Sequence, residues 1–171
     1  MAFLRSGSFG RNPSKHDNLL ASISLFAPFG GPEESCEEVA ARRQRSQDSA
    51  RQPLVLVADD EFLIRATIVE ILRSEGYDAV GVQDGVAAIE CAAKISPDVF
   101  LTDVSMPRMN GIDAAKHIRQ SFPGTRVICF SGHAATSELL AKARQEGNEF
   151  EFLAKPIRPT TLIQTIRASR A

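Results

Sequence analysis

The chain has 171 residues, of which 43% are hydrophobic and 24% charged, and its 20 basic and 21 acidic residues leave a formal net charge of −1. A nearly neutral chain lacks an overall attraction to nucleic acid or anionic lipid, and no run approaches the roughly 20 apolar residues that cross a bilayer. We therefore expect a globular protein that binds neither nucleic acid nor membrane.

Residues 1–52 differ from residues 53–171 in composition and in hydrophobic periodicity. The first stretch mixes Ser, Gly, Pro and Arg without a sustained hydrophobic period, and it lacks the apolar core of a secretory signal. We predict a largely disordered extension over 1–52, in which residues 33–45 could form a helix that leads into one folded domain over 53–171.

The three cysteines, Cys36, Cys91 and Cys129, are widely spaced and odd in number, and they lack the C-x-x-C pairing of a zinc site. This spacing favours reduced thiols that pack as small buried hydrophobic side chains in a cytoplasmic protein.

From Pro53 onward, five strand-length apolar runs alternate with five segments of helical spacing. The runs lie at 54–58, 79–82, 99–102, 127–130 and 150–154. Nearly continuous apolar strands are buried on both faces, which is the pattern of a parallel sheet covered by helices. The pattern predicts an α/β domain with a doubly wound five-stranded parallel sheet flanked by five helices.

Polar side chains follow four of the five apolar runs. Asp59 and Asp60 follow the first run, Asp103 the third, Ser131 the fourth and Lys155 the fifth. Ligands of open α/β sheets bind beyond the carboxyl ends of the strands, so these groups should meet at one edge of the sheet.

The chemistry of that edge follows from its charges. Clustered carboxylates repel each other and require a counter-charge, and hard oxygen ligands with open positions favour Mg²⁺. Asp103 could then attack phosphorus, while Lys155 neutralises phosphoryl oxygens and Ser131 supplies a hydrogen bond. Taken alone, Asp59 and Asp60 would fit a helix N-cap equally well. Because carboxylates, a hydroxyl and an ammonium group occur together at four strand ends, the pattern indicates phosphoryl chemistry.

Four motifs resemble those of response-regulator receiver domains, and the resemblance covers residues 54 to about 168. The motifs are Val57-Ala58-Asp59-Asp60, the stretch LTDVSMPRMNG at 101–111, Phe130-Ser131-Gly132-His133 and Leu153-Ala154-Lys155-Pro156. The resemblance is to a single-domain receiver of the chemotaxis type, and it implies the flavodoxin-like strand order 2-1-3-4-5. It also implies that Asp103 accepts a phosphoryl group from a sensor histidine kinase or a histidine phosphotransfer protein of a two-component system.

The same resemblance implies how the metal is held. Mg²⁺ would be bound by Asp60, Asp103 and the backbone carbonyl of Ser105, with Asp59 acting mainly through metal-bound water. Lys155 would pair with the phosphoryl group or with Asp103, and Pro156 matches the cis-proline that aims this lysine into the site.

The resemblance further identifies a pair of switch residues. The hydroxyl of Ser131 would move toward the phosphoryl oxygen, and the ring of Phe152 would follow it inward. For Phe152, a plain core aromatic on the last strand is the competing interpretation.

Few residues follow Lys155, so we expect a single-domain response regulator. It would act in the cytoplasm on an unknown downstream protein and would not be a conventional enzyme.

Two alternative functions stay open. A haloacid-dehalogenase-like phosphatase would carry D-x-D after the first strand, where this chain has Asp59-Asp60. A binding module could keep the receiver fold and switch without phosphorylation.

Overall fold

Five short strands form one parallel sheet in a computed structural model that describes residues 34–45, 52–132 and 136–168. The strands are β1 (Leu54–Ala58), β2 (Asp78–Val82), β3 (Val99–Asp103), β4 (Arg126–Ser131) and β5 (Glu151–Ala154). Their order in the sheet is β2-β1-β3-β4-β5, and all four neighbouring pairs are parallel. The predicted fold class and strand order are both confirmed.

Six helices lie in the described part of the chain: the five predicted to flank the sheet, and one in the stretch 33–45 that could form a helix before the domain. They are α1 (Cys36–Arg45), α2 (Phe62–Ser74), α3 (Gly85–Ile95), α4 (Gly111–Ser121), α5 (Thr136–Gln145) and α6 (Pro159–Arg167). Among the described residues, none of the helices has both the length and the apolar character needed to span a membrane.

Each face of the sheet carries its own hydrophobic core. Leu56 and Phe100 face a core to which α1, α3, α4 and α5 contribute. Val57 and Leu101 face the opposite core, which α2 and α6 complete. Successive strand residues point to opposite faces, and both faces are covered, which explains why the apolar runs are continuous rather than alternating.

Local hydrogen bonds define where the helices nearest the carboxyl edge begin. The Asp84 side chain accepts hydrogen bonds from the backbone N–H groups of Val86 and Ala87, which caps α3. The Asn110 side chain accepts one from Asp113 N–H at the start of α4. Short polar side chains at these positions satisfy N–H groups that have no partner inside the helix.

The first helix joins the domain through a disulfide bond between Cys36 on α1 and Cys91 on α3. Val39 of α1 is fully buried in the same interface, and the guanidinium of Arg42 lies 2.6 Å from a carboxylate oxygen of Asp78 on β2. The helix that residues 33–45 could form is therefore present. The rest of the predicted disordered extension, residues 1–33 and 46–51, lies outside the described residues.

The disulfide corrects the prediction that all three cysteines are reduced thiols. Cys36 and Cys91 are 55 positions apart in the chain, but the packing of α1 against α3 brings them together in space. Cys129 is a free, buried thiol as predicted, and burial raises its pKa to about 12.

Candidate functional site

The carboxyl edge of the sheet brings together the polar residues that the sequence placed after the strands. Asp59 follows β1 directly, Asp103 ends β3, Ser131 ends β4 and Lys155 follows β5. These four strands are neighbours in the sheet, so their ends form one continuous edge. This is the location at which open α/β sheets bind ligands.

Three carboxylates form an acidic cluster at this edge. One oxygen from each of Asp59, Asp60 and Asp103 lies within 4.8 Å of the other two. Asp59 is fully buried and Asp103 nearly so, whereas Asp60 is exposed. The cluster is thus closed on the protein side and open on the side of Asp60.

The ammonium group of Lys155 faces the two buried carboxylates. Lys155 Nζ lies 3.0 Å from Asp103 Oδ2 and 3.2 Å from Asp59 Oδ2, and it also lies over the Phe130 ring, 5.1 Å from the ring centroid. The backbone N–H of Lys155 donates to the carbonyl of Ser131, and the Lys155–Pro156 peptide bond is cis. The lysine therefore reaches the site from a backbone that is tied to the adjacent strand.

Burial and charge act in opposite directions on these groups. Burial raises the pKa of Asp59. The hydrogen bond from Glu61 N–H and the charge of Lys155 lower it by less, so the pKa is raised overall. Burial acts to lower the pKa of Lys155, but its hydrogen bond to Asp103 and the charges of Asp103 and Asp59 outweigh that effect, and the pKa is raised. The charged form of Lys155 is therefore favoured, whereas burial makes the ionised form of the Asp59 carboxyl group less favourable.

The donor set fits Mg²⁺. The three carboxylates supply hard oxygen ligands within reach of one ion, and the exposed side at Asp60 leaves room for the water molecules that Mg²⁺ retains. The three carboxylates carry more negative charge than the ammonium of Lys155 offsets, so a divalent cation at this edge would stabilise the cluster.

The loop after Asp103 packs closely against that residue. The backbone N–H of Ser105 donates to Asp103 Oδ1 at 3.3 Å, and Gly111 N–H donates to the carbonyl of Val104. A Cβ atom on Gly111 would lie 1.8 Å from the backbone oxygen of Asp103, so only glycine fits there. Ser105 thus stands beside the acidic cluster, and its carbonyl as a metal ligand stays a prediction.

The two predicted switch residues lie on neighbouring strands. Ser131 is buried at the end of β4, one residue beyond the partner of Asp103 in the β3–β4 register. Phe152 on β5 has 41% of its surface exposed, so it does not pack as the core aromatic of the competing interpretation. His133, which follows Ser131 in its motif, lies outside the described residues.

Sequence reasoning missed three residues that support the site. The buried Arg65 on α2 donates to the backbone carbonyl of Asp59 at 2.7 Å. Asp84, 2% exposed at the start of α3, pairs with the guanidinium of Arg108 in the loop after Asp103. The Asp84-Gly85 pair could have been read as a helix N-cap signal, whereas nothing in the sequence indicates the Asp84–Arg108 contact.

Comparisons with known proteins agree with this geometry. A family profile described as response regulator receiver domain matches residues 55–167. The transcriptional regulatory protein PdtaR of Mycobacterium tuberculosis is 40% identical over 122 residues, which cover 70% of this chain and 57% of PdtaR. The chemotaxis protein CheY of Thermotoga maritima is 30% identical over 113 residues, which cover 66% of this chain and 92% of that protein.

Solved structures show the same fold. The chemotaxis protein CheY4 of Vibrio cholerae superimposes with a TM-score of 0.63 at 27% identity, over 69% of this chain and 98% of the other. A response regulator receiver domain protein from Clostridium thermocellum gives a TM-score of 0.61 at 29% identity, over 68% of this chain and 92% of the other. The chain therefore covers nearly all of these small proteins but little more than half of PdtaR.

Proposed function

The chain belongs to the response regulator receiver domain family of two-component systems, and from this premise we propose that it is a phosphorylation-controlled switch with Asp103 as its phosphoacceptor. The observation that carries the proposal is the position of Lys155 Nζ, within 3.2 Å of both Asp103 and Asp59 at the edge of a three-carboxylate cluster. A nucleophile, a charge-neutralising ammonium and a set of metal ligands thus lie together.

The proposed reaction is phosphoryl transfer to a carboxylate. A carboxylate oxygen of Asp103 attacks the phosphorus of a phosphohistidine, a P–O bond forms and the P–N bond breaks. The imidazole leaves with the electron pair and takes up a proton from solvent. The product is an acyl phosphate on Asp103, and its slow hydrolysis would be an intrinsic property of the chain rather than conventional enzyme activity.

Charge explains why this transfer should require a divalent cation. An incoming phosphoryl group carries negative charge, and Lys155 alone cannot offset it together with Asp59, Asp60 and Asp103. Asp60, Asp103 and the Ser105 carbonyl would hold Mg²⁺, with Asp59 acting mainly through metal-bound water, and the ion would supply the missing positive charge. Lys155 would exchange its bond to Asp103 for one to the phosphoryl group.

The signal would arise from a shift between two conformations. Once phosphate is on Asp103, the Ser131 hydroxyl would bond to a phosphoryl oxygen and leave space at the end of β4. The exposed ring of Phe152 would then move inward, which changes the surface formed by β5. A partner that prefers this surface would stabilise the phosphorylated form by the same free energy with which phosphorylation favours its binding.

The proposed partners are proteins. The donor would be a sensor histidine kinase or a histidine phosphotransfer protein, the receiver would be a cytoplasmic phosphoprotein, and the output would be a protein that reads the β5 surface. The names of the relatives come from transcriptional regulation and from chemotaxis, and what they share is the receiver domain. The proposal is confined to that shared part.

Intact mass tests the proposal without a cognate kinase. The purified chain is incubated with acetyl phosphate, with Mg²⁺ or with EDTA, and compared with Asp103→Asn and with the matched control Asp113→Asn on the exposed face of α4. We expect one added phosphoryl group in wild type and in the control with Mg²⁺, and none with EDTA or in Asp103→Asn. A folded wild-type chain that gains no phosphate would favour a binding module that switches without phosphorylation.

A further inference from the structure

The loop that follows Asp103 contains a backbone conformation that needs support. Arg108 has φ +64°, in the left-handed region that residues with a side chain rarely adopt. Such a conformation persists only where neighbouring structure holds it. The described contacts of this loop identify what holds Arg108.

Asp84 supports Arg108 with one of its two carboxylate oxygens, while the other caps α3. Its Oδ1 accepts hydrogen bonds from the N–H groups of Val86 and Ala87, both at 2.9 Å, and so caps α3. Its Oδ2 pairs with the guanidinium of Arg108. Asp84 is 2% exposed, so this ion pair is closed to water on one side although much of the Arg108 side chain is exposed.

The next residues of the loop and the helix are also in contact. A Cβ atom on Gly85 would lie 2.9 Å from both the Cγ and the backbone oxygen of Met109, so the loop packs directly on the start of α3. At its other end, the loop is joined to Asp103 by the hydrogen bond from Ser105 N–H. The segment 104–110 is therefore fixed at the acidic cluster and at α3.

We propose that Arg108 and Asp84 are positioning residues whose ion pair holds the loop 104–110 so that Ser105 stands at the Mg²⁺ site. This inference rests on the proposed function, because it concerns the metal that the transfer to Asp103 requires. Neither residue touches the acidic cluster in the described contacts, so both act through the backbone of the loop. Groups that orient metal ligands from outside the ligand set commonly change metal affinity about tenfold or more when they are removed.

Two substitutions separate positioning from folding. Arg108→Gly removes the ion pair and also relieves the left-handed backbone, so the fold should keep its melting temperature. Asp84→Asn removes the charge but keeps an Oδ1 atom that can cap α3. Arg167→Ala, which breaks an exposed ion pair with Glu75 between α6 and α2, is the matched control away from the site.

The experiment is a calorimetric titration of each full-length variant with Mg²⁺, combined with hydrogen exchange of residues 104–111 in the absence of metal. We expect Arg108→Gly and Asp84→Asn each to bind Mg²⁺ about tenfold more weakly, with faster exchange in the loop and an unchanged melting temperature. The double variant should lose little more than either single one, because both remove the same contact. Arg108→Lys should recover part of the affinity, and Arg167→Ala should bind as wild type does.

The outcomes distinguish this inference from the proposed function. Variants that bind Mg²⁺ as tightly as wild type and exchange at wild-type rates would overturn the positioning role alone. Weaker binding accompanied by a lower melting temperature in both variants would assign the pair a structural role and would also overturn it. A folded wild-type chain that binds no Mg²⁺ would overturn both.

Discussion

Lys155 Nζ lies 3.0 Å from Asp103 Oδ2, although the two residues are 52 positions apart in the chain. The parallel sheet accounts for this contact, because β3 and β5 flank β4 and all three strands end at the same edge. The ammonium also reaches Asp59, so one lysine serves the carboxylates of two strands.

Removal of this ammonium should slow phosphorylation. In Lys155→Ala we expect uptake of phosphate from acetyl phosphate to fall by about a hundredfold, because the group that stabilises the developing charge is absent. The rate is measured by intact mass over time, with Lys142→Ala, an exposed lysine on α5, as the matched control. A Lys155→Ala rate equal to that of the control would contradict the role assigned to Lys155.

The buried carboxylate of Asp59 should destabilise the metal-free fold at neutral pH. Its pKa is raised in the folded chain, chiefly by burial, so the folded state binds more protons than the unfolded state. Its contribution therefore lowers stability as pH rises above the usual carboxyl range. In EDTA at neutral pH, Asp59→Asn should melt roughly 3 °C higher than wild type.

Mg²⁺ should reduce this difference in melting temperature between Asp59→Asn and wild type. The ion compensates the carboxylate in wild type, whereas the asparagine variant has lost that charge, so added Mg²⁺ should raise the melting temperature of wild type by more. Thermal unfolding with and without Mg²⁺ measures both effects. An Asp59→Asn variant that melts below wild type in EDTA would show that the carboxylate stabilises the empty site.

The disulfide between Cys36 and Cys91 should contribute a large share of stability. It closes a loop with a sequence separation of 55 residues, and the loss of chain entropy in the unfolded state predicts up to about 4 kcal/mol. Denaturant unfolding of wild type with and without a dithiol reductant measures this contribution. Cys36→Ser should unfold like reduced wild type and should not respond to the reductant; a wild-type chain insensitive to the reductant would contradict the prediction.

Gly111 should tolerate no side chain. A Cβ atom there would meet the backbone oxygen of Asp103 at 1.8 Å, and backbone cannot yield as a flexible side chain can. Gly111→Ala should lower the free energy of unfolding by about 3 kcal/mol and weaken Mg²⁺ binding. Gly124→Ala is the matched control, because a Cβ atom at Gly124 meets nothing within 4 Å, and equal stability of the two variants would refute the argument.

Much of the fold and of the site could be predicted because both depend on a repeated pattern. Continuous apolar runs indicate buried parallel strands, and parallel strands end at one edge, so Asp59, Asp103, Ser131 and Lys155 could be placed together from their positions after the runs. The strand order came from the resemblance to receiver domains rather than from the spacing.

Other features could not be predicted because they depend on contacts that no local pattern indicates. In α1 the apolar stripe consists only of Cys36, Val39 and Ala40, and the helix then continues into charged residues, so the pattern is too short to predict packing on α3 or the Cys36–Cys91 bond. The contact of Arg108 with Asp84 joins a loop to a helix start 24 positions away, and it involves an arginine with a left-handed backbone, which sequence does not indicate.

Chemical mapping of the phosphorylated residue tests the central claim most directly. The chain is treated with acetyl phosphate and Mg²⁺ and then with borohydride, which reduces an aspartyl phosphate to homoserine, and the product is analysed by peptide mass spectrometry. We predict homoserine at position 103 and retention of Asp59 and Asp60, which belong to the same cluster. Homoserine at either of those two positions, or at none, would contradict the assignment of Asp103 as the phosphoacceptor.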